Sequence, residues 1–293
     1  MALACEYHGE APCRGSILNV EDLLLVPLGF AVGAFGTLVG AGGGFILVPI
    51  LLFLYPERSP QEITAISLLV VFMNALSGSS AYARQRRIDF RSGLWFAAGT
   101  LPGAIGGVLL VGVTPRRLFD AIFAIALAAL AIYLLTRREP SGIQEPVQGR
   151  GVVRRILRDR YGNTYIYAFQ LWKGVGLSVG VGLFSSLLGI GGGVLHVPIM
   201  ATILHFPVHT AIATSQFTLA FMSLEATAVH TITGTLGWNQ ALGEAALLAA
   251  GAIPGAQLGA FIGQRLGGSM LQKVLAVSLL IVSVRLGFEA IGG

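Results

Sequence analysis

The sequence predicts an all-α polytopic membrane protein made of two inverted-topology repeats, each a glycine-tipped helical hairpin followed by three transmembrane helices. Three observations carry this. Of 293 residues, 54% are hydrophobic and only 11% charged, against about 25% charged in a soluble domain. The mean hydropathy is +0.76, and several apolar runs approach the roughly 20 residues that cross a bilayer. A glycine-rich phrase then occurs twice, once in each half.

The first copy reads Gly36-Thr37-Leu38-Val39-Gly40-Ala41-Gly42-Gly43-Gly44 and continues to Val48-Pro49-Ile50. The second reads Ser185-Ser186-Leu187-Leu188-Gly189-Ile190-Gly191-Gly192-Gly193 and continues to Val197-Pro198-Ile199. A second echo follows each: Pro102-Gly103-Ala104 and Pro254-Gly255-Ala256. Paired glycine-broken segments in corresponding halves point to a transporter's binding site.

Hydrophobicity divides the chain into ten apolar pieces, near 23–40, 44–55, 63–83, 92–112 and 117–136, then 169–189, 193–206, 211–233, 241–263 and 269–288. The expected organisation is an extracytoplasmic tail over 1–22, a first repeat over 23–136, a cytoplasmic linker over 137–168 and a second repeat over 169–293. Within the linker, Val152 to Arg158 reads as a short amphipathic helix. Cys5 and Cys13 lie in the tail, where a disulfide and two free thiols are both open.

Arginine placement sets the orientation. Arg84, Arg86, Arg87 and Arg91 cluster between two spans, and the linker carries seven more, Arg137 to Arg160. Both loops are expected in the cytoplasm and both termini outside. The turn at Arg116-Arg117 then falls outside, as does the Gly234 to Asn239 turn, with Trp238 at the interface. The pieces after each triple glycine are short for a span, which favours re-entrant hairpins; full crossing stays open.

Backbone broken at mid-depth must be buried or line a cavity. Glycine permits the sharp tip. The helix that starts there presents free amide groups and the positive end of its dipole, an anion site. Gly42, Gly43, Gly44, Gly191, Gly192 and Gly193 are therefore the expected cage. The competing explanation for these glycines is tight helix packing.

At these residues the chain resembles the sulfite exporter TauE/SafE family, also called toluene-sulfonate uptake permeases, over nearly its whole length. The resemblance implies a bacterial or archaeal plasma-membrane transporter of sulfur-containing anions such as sulfite, sulfoacetate or thiosulfate, with export the favoured direction. The residues themselves argue for an anion and a transporter, not for sulfur or direction.

Polar groups inside the spans are the other candidates. Ser67, Asn74, Thr214, Ser215 and Gln216 are placed to complete the cage, and His196 lies in the first turn of the second short helix. Glu225, about 15 Å along its helix from Ser215, is a candidate proton carrier. Pro49, Pro198, Pro102 and Pro254 are candidate hinges. No cofactor, metal or nucleic acid is expected. The partners are the anion and the lipid bilayer, and a homodimer is left open. A passive anion channel and a carrier of non-sulfur organic anions are the alternatives. Gly78-Ser79-Ser80 with a distant histidine is too weak a signal for an enzyme.

Overall fold

The computed structural model describes residues 23–136, 151–235 and 240–292. The expectations for the N-terminal tail, the Cys5/Cys13 pair, Trp238 and the linker up to Arg150 lie outside the described residues. Ten helices are present among them. In the first half these are α1 (Leu25–Leu38), α2 (Gly44–Leu54), α3 (Pro60–Arg84), α4 (Phe90–Val111) and α5 (Arg116–Thr136). In the second they are α6 (Leu171–Leu188), α7 (Gly193–Thr202), α8 (Val208–Ile232), α9 (Gln240–Gly263) and α10 (Gly268–Gly292).

Between the halves lies an antiparallel hairpin, β1 (Val152–Arg158) and β2 (Thr164–Gln170), in register from Val152–Gln170 to Arg158–Thr164. This corrects two expectations: the molecule is not wholly α-helical, and 152–158 is a strand, not an amphipathic helix. The reason is a period-two pattern. Arg154, Ile156 and Arg158 face out while Arg155 and Leu157 turn inward, and β2 supplies inward Tyr165, Tyr167 and Phe169. Tyr167 and Phe169 stack with Phe206 and Phe96 in an aromatic cluster.

Helix partners are drawn from opposite halves. α1 lies along α9, α4 along α6, α5 along α10, and α3 crosses α8. The α1–α9 and α4–α6 seams are stripes of small residues at four-residue spacing. A Cβ on Gly251 would fall 1.9 Å from the Val26 carbonyl oxygen, and one on Gly103 2.0 Å from that of Val179. Backbone therefore packs on backbone at these seams.

The loops gather at two ends. At one, the β-hairpin sits on the α3–α4 turn: Arg160 N–H donates to Gln85 O at 3.0 Å, and Arg155 pairs with Asp89 at 3.2 Å. At the other, Arg58 pairs with Glu244 at 2.5 Å, and Gln61 Nε2 donates to Thr235 Oγ1 at 2.9 Å. The two arginine-rich segments thus share one face, and the loops around Arg58, Arg116 and Thr235 share the other.

The candidate site at the paired glycine tips

Each tip forms where a helix stops and a short one begins. α1 ends at Leu38; Ala41 and Gly42 N–H both turn back to Gly36 O, at 2.8 and 3.1 Å. The second tip closes the same way, with Ile190 N–H on Ser185 O at 3.1 Å. Gly40, Gly42 and Gly43 have φ of 75°, 75° and 86°; Gly189, Gly191 and Gly192 have 69°, 81° and 78°. These left-handed conformations are why the motif must be glycine. Gly43 and Gly192 cap α2 and α7 with no side-chain bond to the exposed amides. Some opening amides turn back on the tip, Ile46 N–H to Gly43 O at 3.1 Å, Gly193 N–H to Gly191 O at 3.0 Å and Leu195 N–H to Gly192 O at 3.1 Å. Those of Gly44, Phe45 and Val194 have no intrahelical acceptor, and the dipole makes both ends positive.

α2 has 11 residues and α7 has 10, so each spans about 15 Å, half a bilayer core. The tips meet back to back. A Cβ on Gly44 would lie 2.7 Å from Gly189 O, and one on Gly193 2.3 Å from Gly40 O. Those two carbonyls are also hydrogen-bonded across the halves: Ser67 Oγ donates to Gly189 O at 2.8 Å and Ser215 Oγ to Gly40 O at 3.3 Å. Val71 and Leu219, at the middle of α3 and α8, fill the space against Gly42 and Gly191. The tips are therefore buried and closed from both faces.

The expected polar residues separate into two groups. Ser67, Asn74, Ser215 and Gln216 come together at the tips, but they hold protein. Asn74 Nδ2 donates to Gly42 O at 3.1 Å. Thr37 Oγ1 donates to Asn74 Oδ1 at 3.2 Å, and Gln216 Nε2 to Thr37 Oγ1 at 3.2 Å. Thr214 is elsewhere: its Oγ1 accepts Asp89 N–H at 3.0 Å, beneath the start of α4. His196 faces Ser178 Oγ, 3.0 Å from Nε2, and the Phe96 ring. Glu225 is half-buried, with Thr100 Oγ1 donating to its carboxylate at 3.5 Å, two residues before Pro102. Pro49 and Pro198 are buried within α2 and α7, whereas Pro102 and Pro254 lie on exposed faces of α4 and α9.

Sequence reasoning passed over three groups. Ser185 Oγ and Ser186 Oγ, on the turn of α6 that leads into the second tip, are buried without a partner, as is Gln216 Oε1. The doubled motif contained both serines, so position within it was the available signal. Glu244 is 3% exposed, more deeply buried than Glu225, although it begins a span. Asp89 was also missed. Its carboxylate accepts from Ser92 Oγ at 2.5 Å, Tyr167 OH at 3.0 Å and Arg155 Nε at 3.2 Å. Burial first, then the adjacent Asp89 carboxylate, raises the Tyr167 pKa, so the phenol stays a donor.

Six of the described helices, α3, α4, α5, α6, α9 and α10, are long and apolar enough to cross a membrane. Three shorter apolar helices accompany them, α1 and α2 before the first and α7 between α6 and α9; the chain is a multi-pass membrane protein. It belongs to the sulfite exporter TauE/SafE family, whose model matches residues 25–286. It is 31% identical to the probable membrane transporter protein YunE of Bacillus subtilis, over 92% of this chain and 98% of that one. Identity to the probable membrane transporter protein MJ0441 of Methanocaldococcus jannaschii is 28%, over 88% and 94%. A probable membrane transporter protein of Xylella fastidiosa is 25% identical, over 88% and 90%. Family and relatives support a membrane transporter. No solved structure matches the chain significantly.

Proposed function

We propose that the protein is a secondary transporter that carries a small sulfur-containing anion (sulfite, a sulfonate such as sulfoacetate, or thiosulfate) across the plasma membrane, exporting it by alternating access. The observation that carries this is the meeting of two glycine-capped helix N-termini at the middle of the α3–α8 crossing. Uncharged backbone donors suit a small oxyanion, because they stabilise negative charge without a fixed cation that would trap it.

The packing of helices from one half against those of the other supports reading the halves as two inverted repeats. With the arginine-rich face in the cytoplasm and both termini outside, the present state is occluded. Parting of the tips exposes the first amides of α2 and α7. Ser185 and Ser186, whose hydroxyls have no partner, are the side-chain donors free to complete the cage; Gln216 would join them only by turning its amide N–H from Thr37 to the ligand. Ser67, Asn74 and Ser215 change partner from carbonyl to ligand as the tips move. Pro102 and Pro254 are hinges, and Glu225, beside the first of them, is the coupling-proton carrier.

The test is transport by the purified chain in proteoliposomes, preceded by thermal stabilisation with sulfite, sulfate, thiosulfate, sulfoacetate, taurine and isethionate against chloride and acetate. We expect one sulfur anion to stabilise selectively and to exchange saturably. Ser186→Ala should weaken that ligand about tenfold without lowering the unliganded melting temperature. Glu225→Gln should flatten the pH dependence of transport. Ohmic current in place of saturable exchange would identify a channel. Equal responses to acetate and sulfite would remove the sulfur assignment.

A further inference from the structure

The α3–α4 turn and the tip of the β-hairpin frame an open cavity of about 560 Å³, none of whose lining residues belongs to the glycine tips. Its lining is Arg84, Arg86, Arg158, Arg160, Asp159 and Gly162. All four arginines are exposed, and among the described residues no ion pair engages any of them.

The one acid in the lining is already committed. Asp159 accepts from Arg87 Nη2 at 3.3 Å, Asn163 Nδ2 at 3.0 Å, Tyr165 OH at 3.3 Å, and the N–H groups of Tyr161 and Asn163, both at 2.9 Å. Its charge is spent on Arg87, so the four guanidiniums of the cavity keep theirs. Arg87 itself is buried, and its Nε has no partner.

The walls are fixed by contacts from several parts of the chain. Arg160 N–H donates to Gln85 O. Tyr161 OH bonds Gln264 in the α9–α10 turn, and its ring lies under the Arg87 guanidinium at 5.5 Å. Arg84 reaches Gln257 of α9 at 3.4 Å. Arg86 stands at φ 57°, a conformation that costs a non-glycine residue free energy and is held by its surroundings. Topology alone requires arginines somewhere in such a loop. It does not require four of them around one cavity whose acid is neutralised by a fifth.

We propose that this cavity is a binding site for a phosphate-bearing anion, distinct from the transport site. Guanidinium forks match phosphate oxygens two at a time. Four of them suit a ligand with more than one phosphoryl charge, and the volume is that of a small-molecule pocket. The same chemistry is offered by a soluble polyphosphate and by the headgroup of an anionic lipid at this rim.

The test uses the purified full-length chain and the triple variant Arg86→Gln, Arg158→Gln, Arg160→Gln. Arg87 is left in place because it holds Asp159. Arg154→Gln, exposed but outside the cavity, is the charge control. Melting is followed in uncharged detergent with inorganic pyrophosphate, and in phosphatidylcholine nanodiscs with and without phosphatidylglycerol. A rise of roughly 5 °C with pyrophosphate, lost in the triple variant and kept in Arg154→Gln, establishes a soluble ligand. The same pattern with phosphatidylglycerol alone establishes a lipid headgroup. If neither separates the triple variant from the parent chain, the proposal is overturned. Stabilisation by sulfite as large as that by pyrophosphate, lost in the triple variant, overturns it too, and makes the cavity an antechamber for cargo.

Discussion

At the scale of the residue, the glycines of the tips serve two different needs. Gly42, Gly43, Gly191 and Gly192 are required by backbone angle; Gly44 and Gly193 are required by contact. Gly193 would bring a Cβ to 2.3 Å from Gly40 O and 2.7 Å from Ala41 Cα, and neither is the end of a flexible side chain. Gly193→Ala must therefore push the tips apart. We expect a loss of about 1–3 kcal/mol, typical of an overpacked site, together with loss of transport. Gly176→Ala is the control, because nothing lies within 4 Å of that position. Equal melting temperatures for the two variants would mean that the tips do not bear on each other. The doubled motif showed where these residues were. It did not show that Ser67 and Ser215 hold the opposite tip, since a hydroxyl's partner depends on which helix crosses it.

At the scale of the element, the helices were legible because apolar length in a membrane leaves little choice. The hairpin was not. Val152 to Arg158 reads Val-Val-Arg-Arg-Ile-Leu-Arg, with arginine and aliphatic residues in pairs rather than in alternation, and over seven residues a strand and an amphipathic helix are hard to tell apart. The partner strand decides it, through the aromatic cluster with Phe206. Asp159 locks the hairpin turn to the α3–α4 turn. Burial raises its pKa, but the Asn163 side chain and backbone, the Tyr161 amide and the Arg87 charge together lower it. A carboxyl depressed in the folded state contributes stability that is present above its unfolded pKa, about 4, and is lost as pH falls through the folded value. Exchange protection over 151–170, corrected for the intrinsic pH dependence of amide exchange, should therefore fall below about pH 4. In Asp159→Asn that protection should be lower already at neutral pH and change little with acid. An unchanged exchange profile in that variant would show that the aromatic cluster alone fixes the hairpin.

At the scale of the whole molecule, the buried tips lie between two sets of contacts that we read as latches. On the arginine-rich face the hairpin ties down Asp89 and, through the Asp89 N–H, Thr214 of α8. On the opposite face Arg58 and Glu244 join the α2–α3 turn to α9 in a bidentate pair, 2.5 and 2.8 Å. Each of these contacts joins segments from different halves, so under the proposed alternating access neither face would open while its own latch holds. In alternating access the two should act in opposition. Replacing Glu244 by Gln leaves Arg58 charged, partly buried and without its counter-charge, which destabilises the closed face more than an open and wet one. Glu244→Gln should thus shift the population toward the state open on that face. The position to watch is Thr227, buried on α8 toward the same end. Introduced by Thr227→Cys, with Cys5 and Cys13 replaced by serine, the thiol should react with an impermeant maleimide several-fold faster when Glu244→Gln is added. Asp89→Asn, which loosens the other latch, should slow it. If both latch variants change labelling in the same direction, the two faces open together and the rocking mechanism gives way to a continuous pore.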